Sequence, residues 1–335
     1  MLFNILIAIV ISSISLVILM QTKNLSEKFN FFDNPASEVK KIHKYPISNI
    51  GGLSCLIPFL LSLIISFYLE NYFSKKYIVI ILISSFFYFF LGRYDDLKNI
   101  SPNIKFVWFV FIFLFLYPFE PNLIIYDLKF KYIDTVIFLN NYSIYFTLFC
   151  LFIFYNSSNF IDGVNGLYAS TIIFWIVALM FLIKAFSIIF IVVILSLLVF
   201  LYFNLKNKVF FGNSGNAFLT CFVGSAYIFS YNKFNNIYCD EILFLFLIPG
   251  LDTIRLILER LLKGKSPLEG DNRHLHHILL KISNNNKWAW IYNLFIILTP
   301  IFVLKILNNF YSAIIISIIT YLFFVYLLPK KSKLN

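Results

Sequence analysis

Charge is scarce in this chain. Only 13% of its 335 residues are Asp, Glu, Lys or Arg, while 60% are hydrophobic. A soluble domain carries about 25% charged residues. A soluble fold of this length cannot hide so much apolar surface, because the buried share rises only slowly with size. Soluble globular and disordered chains are therefore excluded. Cysteine is scarce too. Cys55, Cys150, Cys221 and Cys239 are scattered, with no Cys-x-x-Cys pair and no histidine close in sequence, which argues against disulfides and a zinc centre. The period-2 alternation of an outer-membrane barrel is missing, since the apolar runs last about 20 residues. Leu2–Met20 has no basic leader and no small-residue cleavage site, so it reads as a retained span. Internal repeats and a separate soluble domain are also missing.

What remains is an all-α polytopic membrane protein, read as a single domain over residues 1–335. Spans of about 17–25 apolar residues fall near 2–20, 51–69, 77–92, 104–119, 142–157, 168–183, 186–203, 215–230, 242–258, 288–304 and 310–328, eleven in all. Between 120 and 141 the pattern Ile-Tyr-Asp-Leu-Lys-Phe-Lys-Tyr-Ile alternates with period 2, which predicts a short β-hairpin on the outer surface. The net charge of +11 would point to nucleic acid in a soluble protein. Here it reports topology instead, and no nucleic acid partner is expected. With loop 21–50 inside, all 27 Lys and Arg lie on the inner side except Lys75, Lys76, Lys129, Lys131, Lys184, Lys233 and Lys305. That bias predicts an outside (periplasmic) N-terminus and a cytoplasmic C-terminus.

Four polar clusters sit at inner span ends, and each has a plain alternative. Residues 92–105, Gly-Arg-Tyr-Asp-Asp-Leu-Lys-Asn-Ile-Ser-Pro-Asn-Ile-Lys, hold Asp95 beside Asp96. Two adjacent carboxylates at a membrane edge repel and call for a cation or a proton; salt bridges to Arg93 and Lys98 are the plain alternative. Residues 156–167 place Asn156, Asn159, Asp162 and Asn165 at spacings of three, which on a helix makes one polar face. Such a face is costly to bury without a ligand; a polar loop with glycine turns is the alternative. Residues 211–216, Phe-Gly-Asn-Ser-Gly-Asn, can offer backbone N–H groups to an anion or simply cap a helix. Residues 266–277 hold Arg273, His274, His276 and His277 with two acids, a set suited to anion recognition, to zinc without cysteine support, or to a basic inside loop. Together these clusters supply what is needed to bind a metal diphosphate next to lipid.

These motifs, in this order, resemble the polyprenyl-phosphate N-acetylhexosamine-1-phosphate transferases of glycosyltransferase family 4. That family includes the undecaprenyl-phosphate GlcNAc-1-phosphate transferases and the MraY-type cell-wall translocases. The likeness runs from Asp33-Asn-Pro, Lys40-Lys41-Ile42-His43 and Gly51-Gly52 through Asp95-Asp96, Ser101-Pro102 and Lys105. It continues through the Asn-x-x-Asn-x-x-Asp-Gly-x-Asn-Gly-Leu segment to Asp252, Arg260, Ser266-Pro267, Asp271 and His274-Leu-His-His, a form closer to the GlcNAc type. Asn165 stands where many bacterial members have a second Asp, and Asn213 where the family usually has a metal-binding Asp. A neutral amide binds Mg²⁺ less tightly than a carboxylate.

The resemblance implies transfer of a sugar 1-phosphate from a UDP-sugar to undecaprenyl or another polyprenyl phosphate, releasing UMP, at the cytoplasmic face of a bacterial inner membrane. This is the first step of a cell-surface glycan such as lipopolysaccharide O-antigen, capsule or teichoic acid. It implies Mg²⁺ (or Mn²⁺) held by Asn159 and Asn213, with Asp95, Asp96, Asp162 and Lys105 as catalytic residues. Substrate contacts fall to His43, Asn165, Arg273, His274, His276 and His277. A homodimer is compatible with it. Two rivals are a secondary transporter, which needs charged or broken-helix sites at the midplane and often repeated halves, and an inactive paralogue, supported by Asn213.

Overall fold

A computed structural model describes residues 2–33, 46–234, 236–264, 273–283 and 285–327. His43, Lys40, Lys41, Ser266, Pro267 and Asp271 lie outside the described residues, as does the basic tail after 327. In chain order the elements are α1 (Leu2–Met20), α2 (Thr22–Phe29), β1 (Phe32–Asp33), β2 (Ile47–Ser48), α3 (Gly51–Leu69), α4 (Lys75–Lys98) and α5 (Pro102–Leu116). There follow β3 (Asp127–Phe130), β4 (Thr135–Phe138), α6 (Ser143–Ile161), α7 (Leu167–Ile183), α8 (Ile188–Leu205) and α9 (Gly212–Lys233). The chain ends with α10 (Cys239–Leu262), α11 (Leu275–Ser283), α12 (Asn286–Leu307) and α13 (Phe310–Leu322), which runs into a π turn at Phe323–Leu327.

All eleven expected spans are helical, as an apolar segment in lipid must be to satisfy its own backbone. Among the described residues, seven helices are long and apolar enough to cross a membrane by length and composition. The helices Leu167–Ile183 and Phe310–Tyr326 are apolar but shorter. The two that remain, α9 and α10, carry more polar side chains. Helices α2 and α11, and the β1–β2 pair, are additions to the sequence expectation. Both helices are too short to span and are polar along one side, so hydropathy does not register them.

By contacts the chain divides into two compact units, Met1–Ile124 with Ile172–Phe229, and Ile125–Thr171 with Ser230–Asn335. In the first, α1 and α8 meet through Ala8, Ile11, Ile188 and Val192. The Ser15 hydroxyl donates to the Ser54 carbonyl at 2.8 Å, tying α1 to α3. Small residues and polar side chains of this kind hold helices together where lipid offers no hydrophobic drive. Glu70 accepts from the Ser187 hydroxyl and the Ile188 N–H, each at 2.7 Å, placing a carboxylate at the positive end of α8. The start of α3 is pinned to the segment before α9. Phe210 N–H donates to the Ser48 carbonyl at 2.7 Å, and Gly52 N–H to that of Phe211 at 2.8 Å. This draws Gly52 against Gly215 so closely that a Cβ at 52 would lie 2.5 Å from the Gly215 backbone.

In the second unit the expected hairpin is present, with Asp127 opposite Phe138 and Phe130 opposite Thr135. Its turn is fixed by Tyr132 N–H, which donates to Asp240 in the first turn of α10 at 2.7 Å. Phe244 and Leu247 of α10 pack with Leu304 of α12 and Ala313 of α13. The interlocked glycines give a stability prediction. Gly52→Ala forces two backbones apart and should lower the unfolding midpoint in detergent by a few degrees. Gly250→Ala, where the new Cβ would meet nothing within 4 Å, should not lower it.

Candidate functional site

In the first unit the carboxylate pair and the 211–216 segment come together. Gly92 sits one turn before Asp95 on α4, and a Cβ there would lie 2.3 Å from the Asn213 carbonyl oxygen. The missing side chain lets the start of α9 lie against α4. The first amides of a helix have no partner within it. Here Asp96 supplies one, accepting from Asn213 N–H at 2.9 Å and Ser214 N–H at 3.2 Å. The anion at this helix start is thus the chain's own carboxylate.

Asp95 is buried and is served differently. Its Oδ2 accepts from the Asn213 side-chain amide at 2.8 Å and pairs with Lys105 Nζ, from the first turn of α5, at 2.6 Å. An Asp at 213 would set a third carboxylate against this pair; Asn213 instead donates to it and keeps its amide oxygen for another partner. That oxygen, with the two carboxylates, is a hard-donor set of the kind Mg²⁺ takes. Arg93 does not form the salt bridge of the plain reading. Its Nη2 donates to the Phe29 and Asn30 carbonyls at 3.1 and 2.8 Å, and its guanidinium lies over the Phe31 ring at 3.8 Å. Arg93 therefore ties the negative end of α2 to α4.

In the second unit the amide segment and the histidines come together. Helix α6 stops at Ile161, so Asn156 and Asn159 ride on it while Asp162 caps it with φ −76 and ψ 32. Asn165 lies in the turn beyond. The single helical face read from the spacing therefore ends at Ile161, because Gly166 at φ +86 turns the chain into α7. Gly163 is where that turn meets the histidine segment: a Cβ on it would lie 2.1 Å from His276 Nε2. The rings of His274 and His276 are parallel at 5.7 Å between centroids, His276 and His277 are 4.2 Å apart, and Phe160 stacks on His274 at 4.3 Å. Ser157, Phe160, Asp252, Thr253, His276 and Asn293 line a small recess beside them.

Asp252 of α10 orients this segment. Its Oδ2 faces His274 Nδ1 at 2.8 Å, and it also accepts from Leu275 N–H at 3.2 Å. Arg255 Nη2 and the Tyr321 hydroxyl reach Oδ1 at 2.9 and 2.8 Å. Arg273 pairs with Glu259 at 2.7 Å, so the cation assigned to substrate already has an acidic partner. Burial, with His277 and His274 adding to it, holds the His276 imidazole well below its ordinary range, so it is neutral at pH 7.

Several of these contributors escape sequence reading. Glu259 was open to detection as the i+4 partner of Arg255. Gly92 matters through what touches it, and Tyr321 lies 69 residues from Asp252. Among the described residues no three His, Cys, Asp or Glu side chains form a metal cluster, so a bound cation would draw on amide or ligand oxygens as well.

Residues 78–231 match the profile of glycosyl transferase family 4. That stretch contains three of the four clusters. Among curated proteins, the chain is similar to the undecaprenyl-phosphate alpha-N-acetylglucosaminyl 1-phosphate transferase of Escherichia coli (strain K12), at 22% identity over 285 residues, 80% of this chain and 74% of that one. The enzyme of the same name from Salmonella typhi is 23% identical over 284 residues, with the same shares. A decaprenyl-phosphate N-acetylglucosaminephosphotransferase of Mycolicibacterium smegmatis is 31% identical over 96 residues, 25% of this chain and 24% of that one.

The depressed His276 has a pH consequence. Below the ordinary imidazole value of 6.5 the unfolded chain takes up a proton that folded His276 refuses, so stability is lost as pH falls. Thermal unfolding at pH 7 and pH 5 should show a smaller drop for His276→Gln than for wild type.

Proposed function

We propose that this chain, whose residues 78–231 match glycosyl transferase family 4, moves N-acetylhexosamine 1-phosphate from a UDP-sugar to a polyprenyl phosphate. The reaction takes place at the cytoplasmic face of a bacterial inner membrane, where the basic loops lie, and begins a cell-surface glycan. One observation carries the reading: an adjacent carboxylate pair, bound to Lys105 and to the start of α9, lies within the stretch that matches the family.

A phosphate oxygen of the lipid attacks the phosphorus that bears the sugar. The new P–O bond forms as the P–O bond to UMP breaks, and UMP leaves with the electron pair. Such transfer needs positioning and charge neutralisation more than covalent chemistry from the protein. Direct attack needs no aspartyl intermediate, and we favour it over a two-step route. Asp95 and Asp96 prepare the lipid phosphate and accept its proton if it arrives protonated. Lys105, a compact point charge, holds a phosphate oxygen while its partner Asp95 fixes its place. In the second unit Asp162, Asn165 and the histidine segment with Arg273 take the nucleotide sugar. The neutral imidazole of His276 suits it to hydrogen bonding rather than ion pairing. Mg²⁺ (or Mn²⁺), when bound, neutralises diphosphate charge. Asn159 and Asn213 are the residues that would hold it.

Purified protein given UDP-GlcNAc, undecaprenyl phosphate and Mg²⁺ should release UMP, and omission of any one should stop it. Asp95→Asn and Asp96→Asn should each cut the rate at least a hundred-fold; turnover near wild type in both sinks the assignment. Absence of UMP release from wild type across a panel of UDP-sugars favours the transporter or inactive-paralogue reading. Mass spectrometry of the lipid product from that panel identifies the sugar. Asn213→Asp should lower the Mg²⁺ concentration for half-maximal rate, and without Mg²⁺ it should unfold at a lower temperature because a third carboxylate replaces the amide that donates to Asp95.

A further inference from the structure

His274 is buried, and its ring is held from several sides. Phe160 stacks on one face and the parallel His276 ring lies 5.7 Å away. Its Nδ1 faces Asp252 Oδ2 at 2.8 Å; an ionised carboxylate only accepts, so Nδ1 carries a proton. Its Nε2 is buried without a partner among the described residues. A buried polar atom left open in this way is costly unless something fills it.

The carboxylate that aims the ring is itself aimed by α13. The Tyr321 hydroxyl donates to Asp252 Oδ1 at 2.8 Å and accepts from Arg255 Nε at 2.7 Å. Arg255 completes the loop, with Nη2 on Asp252 Oδ1 at 2.9 Å and on the Arg273 carbonyl at 2.8 Å. Tyr321 is 2% exposed, so no water replaces its hydroxyl if it is removed. Deleting that oxygen takes a donor from Asp252 and the acceptor from Arg255 Nε in one step. The neighbouring Tyr326 makes only a 3.2 Å contact with Glu259 and is 46% exposed.

We propose that Tyr321 is a positioning residue: through Asp252 it fixes the His274 ring so that Nε2 meets an oxygen of the bound nucleotide sugar. This rests on the transferase reading for the identity of the ligand, but the geometry it claims does not.

The test uses the full-length protein in detergent. Tyr321→Phe should lower kcat about ten-fold or more, as outer-shell partners of functional imidazoles commonly do. The KM for polyprenyl phosphate should stay near wild type, the unfolding midpoint should fall by only a few degrees, as for the loss of one buried hydrogen-bonding group, and Tyr326→Phe should behave as wild type. Nitrogen-15 NMR of the histidine rings, with the His274 signals assigned by His274→Gln, should show the Nδ1 resonance moving in Tyr321→Phe. Two results overturn the proposal: unchanged kcat with an unmoved ring signal, or a fall in kcat matched by an equal loss of lipid affinity and of thermal stability. If wild type releases no UMP, the transferase reading fails, and the NMR result alone decides whether Tyr321 sets the ring.

Discussion

The structure around the first cluster depends on one constraint: two neighbouring carboxylates in a low-polarity setting must each find their own source of positive charge. Asp96 finds it in the unpaired amides that open α9, and Asp95 in Lys105 and the Asn213 amide. Neither solution works unless α4 and α9 touch backbone to backbone, and Gly92 permits that approach. The glycine, the helix start and the charge pair are thus one device. It holds Asp95 and Asp96 close together, each with its own partners.

A second carboxylate governs the other unit. Asp252 gathers a histidine, an arginine, a tyrosine and a backbone amide from three places in the chain. Buried charges are tolerated only when their hydrogen-bonding capacity is filled, and here it is filled by groups that also orient one another. The histidine segment acquires its shape from this ring of contacts and from the close-lying turn at Gly163, since α11 alone is only nine residues long.

Much of this was open to sequence reading, for physical reasons. A span has a length set by the bilayer, so the helices were legible to within a few residues, as was the hairpin from its alternation. The adjacency of Asp95 and Asp96 and the three-residue rhythm from Asn156 to Asn165 were legible as chemistry. At Asp162 the sequence left two courses open, since a spacing of three fits a helix while Gly163 and Gly166 permit a break; the structure takes the break, with Gly166 at positive φ. The partner of Asp95 was misplaced. Proximity in sequence favours Arg93 and Lys98, but Arg93 is drawn to the carbonyl end of α2, and Lys105 comes back from the next helix. Tyr321 left no mark in the sequence at all, since nothing in an apolar C-terminal helix distinguishes one tyrosine from another.

The reach of α13 into the Asp252 cluster bears on how a shortened gene product would behave. A stop codon anywhere between 310 and 320 spares every polar motif and nearly all the apolar helices. Such a chain keeps the segments needed for insertion, yet the imidazole beside Phe160 has lost its remote brace. Inheritance of the motifs is therefore a poor guide to competence in truncated relatives; the last apolar helix must be inspected as well.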